Sequence, residues 1–121
     1  MFALQRWGWQ VWVVSASAEV VVQTIAQFYG VPADRVIGVK LAISADGLLL
    51  PFARGPLTYR MGKVEAIDTF IGRRPTFAAG DTDTDIEMLQ ASRHVLLMDR
   101  GNDEALAAAR SGGWWVQPPG W

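Results

Sequence analysis

The sequence predicts an α/β chain: a mainly parallel sheet with helices on both faces and one small β-hairpin. Three observations predict it. Short apolar runs such as "WQVWVV", "PTFAAG" and "HVLLMD" alternate with stretches of helical spacing, which implies parallel strands joined by helices. Asp46-Gly47 separates two further apolar runs, a strong hairpin signal. The 121 residues, half of them hydrophobic, suit one small domain, 1–121, that buries about two-thirds of its unfolded surface.

Each element has a local justification. Residues 2–7 read as the tail of a helix stopped at Gly8. "WQVWVVSAS" is a buried strand of β-branched and aromatic residues ending at Ser15. Ser17 is placed to cap the next helix, where Ala18, Val22, Ile25 and Ala26 are among the residues at helical spacing; Gly30 closes it. "VIGVKLAIS" and "LLLPFA" flank the hairpin turn. After Gly55 and Pro56, "GKVEAIDTFIG" is an amphipathic helix opening at Gly62-Lys63 and ending at Gly72. "PTFAAG" is a short strand, followed by an acidic loop and a helix through Met88 and Leu89. "HVLLMD" is the next strand, "NDEALAAARSG" a helix capped by Asn102 and stopped at Gly112, and "WWVQ" a last strand.

Composition removes several functions. There are no cysteines, so disulfides, zinc thiolate sites and cysteine nucleophiles are excluded. The formal net charge is −1, without a basic stripe, which argues against a nucleic-acid partner. The apolar stretches are too short and interrupted to span a bilayer, and the amino-terminal segment lacks the pattern of a signal peptide. No repeat or low-complexity segment stands out. A cytoplasmic domain with no membrane partner is the expectation.

The chemistry concentrates in "FAAGDTDTDIEML", Phe77 to Leu89. Three aspartates, Asp81, Asp83 and Asp85, crowd the passage from a strand to a helix. Like charges repel, and a connector needs only one aspartate as a cap. Three suggest a cation, phosphate chemistry, or both. Ligands of open parallel sheets bind beyond the carboxyl ends of the strands. Asp81 ends its strand, Ser15 ends the first, and Lys63 opens the helix before the acidic loop. A hydroxyl, an ammonium and carboxylates are thus expected at one rim.

The segments "VWVVSAS", "MGKVEAI" and "AAGDTDTDIEML" resemble, in order, the second, third and fourth motifs of the haloacid dehalogenase (HAD) superfamily. The resemblance is to its phosphoserine-phosphatase-like members and in particular to phosphorylcholine phosphatases, and it covers about residues 9 to 118. It implies a Rossmann-like core and a Mg²⁺-dependent phosphomonoester hydrolase. Matched residue by residue, Ser15 hydrogen-bonds the transferring phosphoryl oxygens and Lys63 offsets their charge. Asp81 is the acidic Mg²⁺ ligand, and Asp85 is a second ligand, direct or through water. Asp83 and Thr82 receive no firm role, Thr82 being a possible phosphate contact. The substrate implied is a small phosphorylated metabolite.

One departure outweighs the match. The family's nucleophile is the first Asp of an Asp-x-Asp motif on the central strand, and no acidic residue precedes Ser15 here. The resemblance therefore implies a truncated enzyme whose core lacks its first central strand. That strand lies between those ending at Ser15 and Asp81, so its loss implies open strand edges and a homodimer or other homo-oligomer. The alternatives are a non-catalytic cation- and phosphate-binding or assembly module, or a fragment with another acquired activity. Reading Asp81 and Asp83 as the first motif fits the spacing, but Asp85 stands where the family has Thr or Val, and the Ser and Lys would lie on the wrong side of it. A calcium EF-hand loop fails on Ile86 and Ser92, where Gly and Glu are needed. A receiver domain fails on the order Ser, Lys, Asp. Structural roles stay open: Ser15 as a strand end, Lys63 as a solvated lysine, Asp81 and Asp85 as capping residues. His94 and the tryptophans read as structural.

Overall fold

The computed structural model describes residues 1–120. They form two compact units, Met1–Thr58 and a second beginning at Tyr59. Among the described residues the strands are mostly parallel, in line with the predicted mixed α/β class.

The first unit opens with helix α1 (Phe2–Arg6), which ends before Gly8 at φ 84°. Strand β1 (Val13–Ala18), helix α2 (Glu19–Ala26) and strand β2 (Val36–Val39) make a parallel β-α-β unit. Its core is Ala26, Val31 and Val36, with Val11, Val13 and Val22 packed against them. The β1–β2 ladder is regular at Val13–Val36 and Val14–Ile37, then slips before Ala18 meets Val39. Four residues of β1 thus span two of β2, and Ser15 to Ser17 bulge out of register. Ser15 lies inside the strand rather than at its end, but the regular ladder stops just before it.

The hairpin pairs β3 (Leu41–Ile43) with β4 (Leu49–Ala53) around Gly47 at φ 80°. The run "VIGVKLAIS" is therefore two strands parted at Lys40, one in each sheet. Lys40 is held by Glu19 (2.6 Å), which also accepts the Gly38 N–H. The Lys40 carbonyl accepts the Arg54 N–H at 2.6 Å, so its backbone already joins the hairpin. Two expectations for α2 need correction. Its N-cap is Ala18, without a side-chain cap bond; the Ser17 N–H instead donates to Ser15 Oγ (3.1 Å). Ile25 points outward, 54% exposed, because Val22 and Ala26 already face β2.

The second unit runs α3 (Met61–Phe70), β5 (Phe77–Gly80), a 3-10 turn (Asp83–Asp85), α4 (Ile86–Gln90), β6 (His94–Met98), α5 (Asp103–Gly112) and β7 (Trp115–Gln117). The parallel order is β5-β6-β7. Val64, Ala66, Ile67, Ala78, Leu89, Val95, Leu97, Ala105 and Ala109 are buried, one stripe per helix, as helical spacing predicts. Asn102 Oδ1 caps α5 by accepting the Ala105 N–H (2.9 Å). Gly112 lies within that helix, and Gly113 at φ 63° ends it.

Among the described residues, the ladder partner of β1 is β2 and that of β5 is β6. No described helix is long and apolar enough to cross a membrane. Trp7, Trp9 and Trp115 are exposed, by 78%, 44% and 63%, while Trp12 and Trp114 are half-buried. Trp121 lies outside the described residues.

Candidate functional site

The three aspartates that follow β5 occupy different environments. Asp85 turns inward, its side chain 8% exposed. Its Oδ1 accepts from Lys63 Nζ at 2.5 Å, and its Oδ2 accepts the backbone N–H groups of Asp81 (3.0 Å) and Thr82 (3.3 Å). With Thr82 it closes a capping box at the start of the 3-10 turn, which satisfies donors that a helix start leaves open. Gly80 makes this possible. A Cβ at that position would stand 2.7 Å from Asp85 Cβ and 2.9 Å from its Oδ2, closer than carbon and oxygen pack. Only glycine lets the carboxylate fold back over the strand end.

Lys63 occupies the first turn of α3 and is 5% exposed. A buried ammonium is costly without a partner, and Asp85 is that partner. Burial pushes the Asp85 carboxyl up, but the Lys63 hydrogen bond and charge, with the two backbone N–H groups, outweigh it. The net effect holds the group below its ordinary 3.8.

Asp81 is the most exposed of the three, with 44% of its side chain accessible and Arg100 Nε 3.7 Å from its Oδ2. Its N–H is bound by Asp85, so the backbone is fixed while the carboxylate faces out. Asp83 is tied sideways: Oδ2 to Arg60 Nη2 at 2.7 Å, Oδ1 to Asn102 Nδ2 at 2.9 Å. Thr82 Oγ1 lies 2.9 Å from Thr84 Oγ1. Lys63, Asp81, Thr82 and Asp85 thus form one hydrogen-bonded group at the carboxyl end of β5.

Among the described residues no three His, Cys, Asp or Glu groups are placed to hold a metal ion together. The donor set suits a hard cation that retains most of its shell as water and takes one accessible carboxylate, Asp81. Both Asp85 oxygens already accept hydrogen bonds, Oδ1 from Lys63 and Oδ2 from two backbone N–H groups.

Ser15 belongs to the first unit. Its Oγ accepts the Ser17 N–H, and its carbonyl accepts the hydroxyl of the buried Thr58. His94 opens β6 opposite Phe77, at the other end of the sheet from Asp81, and stacks on Trp115 with ring centroids 6.1 Å apart. Arg60 was not singled out by sequence. It carries no motif of its own, and its one signal is adjacency to the Met61-Gly62-Lys63 segment.

With this geometry in view, three comparisons bear on identity. The family model for haloacid dehalogenase-like hydrolases matches residues 1–90. No curated protein matches the sequence. A conserved functionally unknown protein from Anaerococcus prevotii DSM 20548 superposes with a TM-score of 0.84 at 27% identity, over 95% of this chain and 35% of its own. A protein of unknown function from Bordetella pertussis Tohama I gives 0.74 at 21%, over 85% and 48%. A phosphoserine phosphohydrolase-like protein from Francisella tularensis subsp. tularensis SCHU S4 gives 0.73 at 16%, over 96% and 54%. The chain thus spans between 35% and 54% of the length of these structures.

Proposed function

We infer that this chain, which belongs to the haloacid dehalogenase-like hydrolase family, carries the charge-neutralising and cation-facing part of a Mg²⁺-dependent phosphomonoester hydrolase. One observation carries the reading. A buried Lys63–Asp85 pair sits at the carboxyl end of a parallel strand, bonded to the backbone of an exposed Asp81. This is the end of an α/β sheet where ligands bind.

In this reading Asp81 holds Mg²⁺ directly and Asp85 supports it through water. The bound ion would neutralise charge developing on a phosphoryl group. Lys63 supplies a fixed positive charge whose position Asp85 sets. Ser15, by its motif match, donates its hydroxyl to a phosphoryl oxygen. The substrate is a small phosphorylated metabolite. No Asp-x-Asp-x-Thr or Asp-x-Asp-x-Val occurs in the sequence, so the family's nucleophile is not among these residues.

The test is thermal unfolding with and without Mg²⁺. A cation that binds only the folded chain raises the Tm by mass action, and Asp81→Asn is expected to remove most of the increment. Equal increments in both proteins would sink the assignment. Assayed on p-nitrophenyl phosphate, the chain by itself is expected to show little or no turnover. Turnover that Asp81→Asn or Lys63→Ala abolishes would reveal an internal nucleophile, with Asp83 the first suspect. The missing nucleophile also favours a second reading, a non-catalytic cation- and phosphate-binding module. That module predicts the same Mg²⁺ response with no turnover in any longer form of the protein.

A further inference from the structure

The residue before α3 adopts a backbone conformation that an arginine rarely takes: Arg60 has φ 50° and ψ −122°. Positive φ in a side-chain-bearing residue is strained, and it persists only where its surroundings over-determine it. Here they do. The Arg60 N–H donates to Thr84 O (3.2 Å), and its carbonyl accepts the Lys63 N–H (3.0 Å), starting the helix turn that presents Lys63. Its guanidinium reaches Asp83 Oδ2 (2.7 Å), Glu104 Oε1 and Oε2 (3.1 and 3.2 Å) and Glu87 Oε1 (3.6 Å). Asp83 is held from its other side by Asn102. One residue thus joins the start of α3, the acidic loop, α4 and α5, all within the second unit.

We propose that Arg60 is a positioning residue. It fastens the start of α3 to the loop from Asp81 to Asp85 and so sets Lys63 against Asp85 and aims Asp81 outward. Asp83 is its anchor rather than a ligand or a nucleophile. A planar guanidinium with five donors can serve three carboxylates at once, which a lysine ammonium on a flexible stem does not reproduce. The proposal rests on the reading of Lys63, Asp81 and Asp85 as the phosphate and cation site, but it makes a structural claim that survives that reading's failure.

The experiment measures amide hydrogen exchange, residue by residue, in the whole chain and in Arg60→Gly, Arg60→Lys and Asp83→Asn. The Arg60→Gly substitution relieves the positive φ while removing the guanidinium, so its Tm is expected within a few degrees of the parent. Exchange at the Asp81 and Thr82 amides is expected to rise about tenfold or more in Arg60→Gly and Asp83→Asn, and less in Arg60→Lys, while Val95 and Leu97 in β6 keep their protection. Exchange that rises evenly across the sheet, or not at all at Asp81 and Thr82, would overturn the proposal. A parallel Mg²⁺ titration separates the two claims. If the parent chain does not respond to Mg²⁺, the functional reading fails and the exchange data alone judge Arg60. If the parent responds and Arg60→Gly responds equally, Arg60 is not a positioning residue.

Discussion

At the scale of single residues, the Lys63–Asp85 pair holds both its charges out of water, the two side chains being 6% and 8% exposed. Removing one partner of a buried pair leaves the other charge stranded, at a cost of about 3–5 kcal/mol. Asp85→Asn is expected to lower stability by that order in urea unfolding. The double variant Lys63→Met/Asp85→Leu is expected to recover much of the loss, since it strands no charge. The pair also dictates an acid response. The Asp85 carboxyl is held below its ordinary 3.8 in the folded chain, so the unfolded chain binds its proton first as pH falls. Its contribution is complete above that value and disappears as pH drops through the lower, folded-state value. Asp85→Asn is therefore expected to flatten the fall in stability below pH 3.8. An unchanged slope would mean that other carboxylates govern acid unfolding.

At the scale of elements, α5 is tied to the acidic loop by a residue with two tasks. Asn102 Oδ1 caps the helix and Asn102 Nδ2 donates to Asp83. Aspartate caps a helix as well as asparagine does, so a residue that only capped would tolerate Asn102→Asp. Here that change faces one carboxylate with another and removes the donor that satisfies Asp83 Oδ1. Leaving such a group unmet costs about 1–3 kcal/mol, and Asn102→Asp is expected to fall in that range while Asn102→Ser loses less. Raised salt is expected to narrow the difference, because the repulsion is partly screened. Equal stability of the two variants would reduce Asn102 to a cap.

At the scale of the whole molecule, the expectation of self-association starts from strands with one ladder neighbour each: among the described residues β1 ladders with β2 and β5 with β6. Unpaired backbone N–H and C=O groups on a strand edge invite another chain to add to it. Apolar side chains stand exposed as well, among them Trp7, Val21, Ile25 and Phe28 in the first unit and Trp115 in the second. A self-associating chain is the expected outcome, with a two-fold dimer the commonest closure. Light scattering across a concentration series checks it. A clean monomer at high concentration, with one cooperative unfolding transition, would show that the edges are protected.

Local pattern determined much of this protein. The alternation of strands and helices, the hairpin at Asp46-Gly47, the Asn102 cap and the Gly80-Asp81 strand end follow from propensities and spacings acting over a few residues. The ordered Ser15, Lys63 and Asp81 segments likewise pointed to the family. Errors arose where neighbours overrode local preference: Ser17 lost its cap role to a bulge that brings Ser15 Oγ to its N–H, and the run from Val36 divided at Lys40 because its two halves pair with different strands, β1 before it and β4 after it. The division of labour among the aspartates was not legible. Asp81, Asp83 and Asp85 alternate identically in sequence, yet one faces out, one is clamped and one is buried. Their partners are Lys63, Arg60 and Asn102, some 19 to 23 positions away along the chain. Such pairings form only when helices from different parts of the chain pack against one strand end. Only the tertiary structure decided them, because the free energy of a carboxylate depends on what surrounds it in space.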